Sequence, residues 1–91
     1  MAAAKKTVTI VNKRGLHARA SARFVAAAAQ MEGTAITVSK DGASAGGTSI
    51  LGLMMLGAAR GDTIDIAAEG PDAAAKLGEL VALVESGFGE D

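Results

Sequence analysis

The sequence predicts an α+β fold: an open-faced sandwich in which a four-stranded antiparallel sheet carries three helices on one face, in the order β-α-β-β-α-β-α. Three observations predict it. Apolar and polar residues alternate with period two in three short segments, as they do in strands with one buried face. An alanine-rich run and a later run with apolar residues at helical spacing lie between and after those segments. Asp41-Gly42, a strong hairpin-turn pair, ends the second segment.

In residues 6–12 (KTVTIVN), Val8 and Ile10 alternate with Thr7 and Thr9 as a strand does, and Lys13-Arg14-Gly15 breaks the pattern, with Gly15 as the turn residue. Residues 18–32 have high helix propensity, and Gly33 fits the position just past a helix end. Residues 34–40 (TAITVSK) alternate again; beyond the Asp41-Gly42 turn, residues 43–46 (ASAG) make a short, weak return strand. Residues 49–56 (SILGLMML) read as a short helix weakened by Gly52, with Leu53 and Leu56 suited to the core, Ile50 helping, and Leu51, Met54 or Met55 left partly exposed. Arg60-Gly61-Asp62 turns the chain into the last strand, residues 63–69 (TIDIAAE). The last helix opens on Gly70-Pro71-Asp72, with Pro71 at its first position and Asp72 in its first turn. Its apolar positions Ala73, Leu77, Leu80, Val81 and Val84 keep helical spacing.

At 91 residues the chain makes a single domain, 1–91, with an ordered core of about 5–88. Much of its apolar half is alanine, and Trp and Tyr are absent, so the core falls to Val, Ile, Leu and Met with Phe24 and Phe88. No cysteine is present, which excludes a disulfide, a thiol nucleophile and a cysteine-ligated metal. One histidine without cysteine gives little basis for a zinc site, so no metal or cofactor is expected. The longest apolar run is too short to span a bilayer and the first residues lack a signal-peptide core, which together point to a soluble, cytoplasmic protein without membrane insertion. We also expect a monomer.

The formal net charge of −1 argues against non-specific nucleic-acid binding, but the charges are segregated. Lys5, Lys6, Lys13, Arg14, Arg19 and Arg23 precede Glu32 without a single acid, and the ten acids all lie from Glu32 onward. Such asymmetry points to an anionic partner for the amino-terminal third; chance segregation in a short chain is the alternative.

His17, the only histidine, stands at the predicted N-cap of the first helix, directly before Ala18. Stability alone favours Ser, Thr, Asp or Asn at a cap and acids in the first turn. Here arginines occupy positions 19 and 23, one turn apart on one face, where they oppose the helix dipole. An incoming anion compensates: free N–H groups, the dipole and guanidinium forks together make a phosphate site. A neutral imidazole in such a site is a nucleophile, and attack on a phosphoryl donor yields a labile phosphohistidine. The plainer alternative is a surface histidine acting as a mediocre cap. Ser21 is close in sequence, but no acid is placed to orient the imidazole for Ser-His-Asp chemistry. Ser49 is a good N-cap for the short helix, and a phosphate there is electrostatically compatible with a helix start.

The segments "GLHAR" and "TSILGLMML" resemble HPr, the histidine-containing phosphocarrier of the bacterial phosphotransferase system, and the likeness extends from residue 6 to about 88. The resemblance implies a carrier that is not itself an enzyme. It places the phosphorylated histidine at His17, which accepts on Nδ1 from phospho-enzyme I and passes the group to an enzyme IIA-type acceptor. It places the arginine that assists transfer at Arg19, and at Ser49 the serine that an ATP-dependent HPr kinase/phosphorylase modifies. It places the partner surface at Leu16, Ala20, Arg23, Leu51, Gly52 and Met54. Many members have proline where this chain has Ala20, and the wording of the helices is similar to alphaproteobacterial members, some of them in nitrogen-regulatory pathways. Two rival readings remain: a small acylphosphatase-like hydrolase, against which stands the lack of an asparagine or acid near His17 to position water, and a regulatory module that binds phosphate-bearing ligands reversibly.

Overall fold

A computed structural model describes residues 2–90 and has the expected order: β1 (Ala3–Thr9), α1 (Ala18–Ala29), β2 (Ala35–Lys40), β3 (Ala43–Gly46), α2 (Ile50–Met55), β4 (Thr63–Glu69), α3 (Ala73–Glu85) and a closing 3₁₀ turn (Gly87–Gly89). The sheet order is β1-β4-β2-β3 and every pairing is antiparallel. β1 and β2 therefore run parallel on either side of β4, joined by the α1 crossover. Among the described residues no helix is long and apolar enough to cross a membrane.

Alternation places Val8, Ile36, Val38, Ile64, Ile66 and Ala68 on the covered face, with Val8 opposite Ile64 and Val38 opposite Ile66. Phe24 of α1, Leu53 of α2 and Leu77, Leu80, Val81 and Val84 of α3 close over them. Each such large side chain removed from water contributes roughly 1.5–3 kcal/mol before entropy is counted. All five apolar positions expected to face inward on α3 are buried.

The boundaries of three elements differ from expectation for a tertiary reason. β1 runs from Ala3 to Thr9 rather than over residues 6–12, because β4 offers partners to the whole stretch, from Glu69 opposite Ala3 to Thr63 opposite Thr9. Available pairing outweighs the weak strand propensity of Ala and Lys. α1 stops at Ala29, capped by Gln30, so that Met31 can turn into the core; Gly33, with φ +77°, belongs to that turn. α3 begins at Ala73, with Pro71 ahead of it and Asp72 left-handed at its N-cap (φ +54°). The turn out of β4 consumes those residues: a Cβ on Gly70 would lie 2.5 Å from the Gly33 carbonyl oxygen, so the chain rounds that corner before it can coil. Ile50 is exposed instead of assisting the core.

Candidate site at the start of the first helix

Two loops and the first turn of α1 hold the His17 backbone in place. Gly15 has φ +61°, and a Cβ there would meet the Ala58 carbonyl oxygen at 2.2 Å, so only glycine fits. The Leu16 N–H donates to that same Ala58 oxygen (3.0 Å), and the Ser21 hydroxyl donates to the Leu16 carbonyl (3.2 Å). The Leu16 side chain is buried beneath the loop. His17 follows as the N-cap, with extended backbone and a carbonyl that accepts from the Ser21 N–H at 2.9 Å. Its imidazole makes no cap bond and is free for other work.

The ring lines a cleft of about 470 Å³ whose other walls are Lys13, Arg14, Arg19, Arg23, Gly89 and Glu90. Four cations line this one cleft, and Arg19 and Arg23 share it with His17 as their spacing predicts. Glu90 overturns the expectation that no acid lies near the histidine. Its carboxylate oxygens stand 2.8 and 3.0 Å from His17 Nε2, with the His17 and Glu90 side chains only 23% and 15% exposed. Asn12 is also present: its Nδ2 donates to Glu90 Oε1 (3.0 Å) and to the Gly15 carbonyl (2.9 Å). In the folded chain His17 therefore has both an acid and an asparagine close by, contrary to the expectation that disfavoured a hydrolase. The same contacts commit both Asn12 donors, so neither is free to position a water.

The His17 hydrogen bond, supported by Asn12 and by the charges of His17 and Arg23, holds the Glu90 carboxyl below its ordinary value of 4.5, against the opposing effect of burial. Ionised, that carboxylate only accepts, so Nε2 is the nitrogen that donates to it, and in a neutral imidazole the lone pair then lies on Nδ1.

The closing turn delivers Glu90. Gly87, Phe88 and Gly89 all have left-handed backbones (φ +69°, +57° and +72°). For Phe88 that geometry costs about 1–3 kcal/mol, which the burial of its ring, about 1.5–3 kcal/mol, offsets. Arg23 Nη1 donates to the Phe88 carbonyl and fastens the turn to α1. The glycines flanking Phe88 signal a turn in the sequence; nothing there shows where it points.

Leu16 and Ala20, expected on the partner surface, are buried (4% and 0% exposed). They support the loop and offer no surface, since the inner side of the first turn is what packs on the core. Arg23, Leu51 and Met54 are exposed as expected; Ile50 and Met55, the latter 77% exposed, widen the apolar patch on α2. Gly52 has a packing role: its N–H donates to Ser49 Oγ (3.0 Å), and a Cβ there would lie 2.9 Å from that oxygen and 3.1 Å from Ala45 Cβ. Ser49 itself is exposed and is the N-cap of α2.

Residues 4–86 match the family described as "PTS HPr component phosphorylation site". The chain is 42% identical over 86 residues to the phosphocarrier protein HPr of Neisseria meningitidis serogroup B (strain MC58), covering 94% of this chain and 96% of that one. It is 34% identical over 87 residues to the phosphocarrier protein NPr of Escherichia coli (strain K12), covering 96% and 97%. The crystal structure of HPr-C-His from Thermoanaerobacter tengcongensis superposes with a TM-score of 0.90 at 41% identity, covering 97% of this chain and 98% of that one.

Proposed function

Because the chain belongs to the HPr family and is a phosphocarrier protein, not an enzyme, we propose that His17 is the residue that carries the phosphoryl group and that Nδ1 is the accepting atom. The observation that carries this reading is the cationic cleft at a helix start in which one ring nitrogen is committed to Glu90 and the other is not. Nδ1 attacks phosphorus; Arg19, with Arg23, stabilises the phosphoryl oxygens, and the first N–H groups of α1 add their partial positive charge. Members of the family work with enzyme I and IIA-type proteins in general. For this chain, phospho-enzyme I is the donor and a IIA-type protein the acceptor, encountered by a cytoplasmic monomer through Arg23, Leu51, Gly52 and Met54. Apolar, adaptable side chains on α2 suit a surface that meets two partners in turn.

Incubation with phosphoenolpyruvate and enzyme I tests this. About one phosphate per chain is expected, labile in acid, stable in base and dischargeable to a IIA-type acceptor. Continuous release of inorganic phosphate from acyl phosphates would indicate a hydrolase instead. Reversible binding without a covalent product would indicate a ligand-binding module.

Ser49 is the proposed regulatory site, modified by an ATP-dependent HPr kinase/phosphorylase; the added charge would oppose docking at the neighbouring α2 patch. With such a kinase and ATP, an acid-stable phosphate is expected in the parent and none in Ser49→Ala; label on another serine overturns the assignment. Ser49→Ala also strips the Gly52 N–H of its acceptor, and urea unfolding is expected to show a loss of about 1 kcal/mol.

A further inference from the structure

Of the methionines among the described residues, Met31 is buried in the core (7% exposed), whereas Met54 and Met55 stand 40% and 77% exposed on α2. Neither belongs to the apolar core or to the side chains packed against it, so packing accounts for neither. α2 (ILGLMM) has no charged side chain, and Ile50 and Leu51, also exposed, make the rest of its outward surface apolar. The chain has no cysteine, so thioethers are its most readily oxidised side chains, and exposure decides which of them a dissolved oxidant reaches.

We propose that Met54 and Met55 form a reversible oxidation site for peroxides, and that conversion of their thioethers to sulfoxides withdraws α2 from its partners. The proposal rests on α2 being the docking surface. In the step, an Sδ lone pair attacks one peroxide oxygen, and the S–O bond forms as the O–O bond breaks. The departing oxygen leaves with that electron pair, takes the proton of the transferred oxygen and becomes water, or an alcohol from an organic hydroperoxide. Each sulfur is oxidised by two electrons and the peroxide is reduced by two. A dithiol reverses the change: the oxygen leaves as water and the dithiol becomes a disulfide.

The consequence is local. A thioether is apolar and adapts its shape, whereas a sulfoxide carries a strong acceptor dipole that an apolar partner surface would bury without a donor. Leu53, fully buried, still holds α2 to the core, so the fold is kept. The cleft at His17 is lined by other residues, so the transfer step itself is untouched.

Hydrogen peroxide applied to the full chain tests this. Peptide mass spectrometry along a time course is expected to show Met55 converted first, Met54 next and Met31 last. With Met54 and Met55 converted, KM for the carrier in loading by phospho-enzyme I should rise at least roughly tenfold at unchanged kcat. Methionine sulfoxide reductases with a dithiol should restore it. In the Met54→Leu, Met55→Leu double variant, KM before and after peroxide should agree, whatever its starting value. Conversion of Met31 at the same rate, an unchanged KM in the converted parent, a loss in kcat, or an equal rise in the double variant overturns the proposal. Leu51→Ser tests the underlying reading separately. An unchanged KM there removes α2 as the docking surface; a raised KM there, beside an unchanged KM in the oxidised parent, removes the oxidation site alone.

Discussion

His17→Ala is expected to take up no acid-labile phosphate from phosphoenolpyruvate and enzyme I, a loss of at least roughly a thousandfold in loading rate. No other imidazole exists in the chain to replace it. The substitution leaves the fold intact, because the imidazole makes no cap bond and the His17 carbonyl still accepts from Ser21. Circular dichroism should match the parent, which separates loss of chemistry from loss of structure. Arg19→Ala is expected to load more slowly while still reaching about one phosphate per chain, since it removes stabilisation of the phosphoryl oxygens and leaves the nucleophile. Equal uptake by His17→Ala would place the carrier function on another residue.

Gly15→Ala is expected to destabilise the protein by about 2–4 kcal/mol, lowering the thermal midpoint by at least roughly 10 °C. Two effects add. The left-handed backbone costs an alanine about 1 kcal/mol, and the new methyl would lie 2.2 Å from the Ala58 carbonyl oxygen, so that backbone must move. Gly42→Ala is the control: φ is +85° there too, but a Cβ meets nothing within 4 Å, so only the smaller backbone cost applies. Calorimetry on the pair separates strain from collision, and equal midpoints would show that the Ala58 approach is of no consequence. Moving Ala58 also disturbs the bond from the Leu16 N–H, so loading of His17 should slow in Gly15→Ala at temperatures where it remains folded.

The elements themselves were legible because each is written in a local period. The alternation in residues 63–69 and the five apolar positions of α3 need no partner to be recognised, and both stand as expected. The edges were not legible, because ends are decided by neighbours. β1 reaches back to Ala3 only because β4 is there to pair with it, and α3 waits until Ala73 because Gly70 must first pass the Gly33 carbonyl. Ala20 shows the same division. Its sequence context raises the question of the proline common at that position; its place settles the physical consequence. The first intrahelical bond is made by the Ser21 N–H, so neither residue type at 20 interrupts the ladder, and the alanine methyl lies fully buried.

The sequence by itself determined the strand and helix order, the histidine at a helix start and the arginines one turn apart, because those features are spaced within a few residues. Only the tertiary structure decided what faces the histidine. The amino-terminal third is free of acids along the chain, yet the left-handed turn through Phe88 brings Glu90 back into its cationic cleft. The direction of that turn follows from where a buried aromatic ring finds space in a core assembled from every element, and no local pattern encodes it.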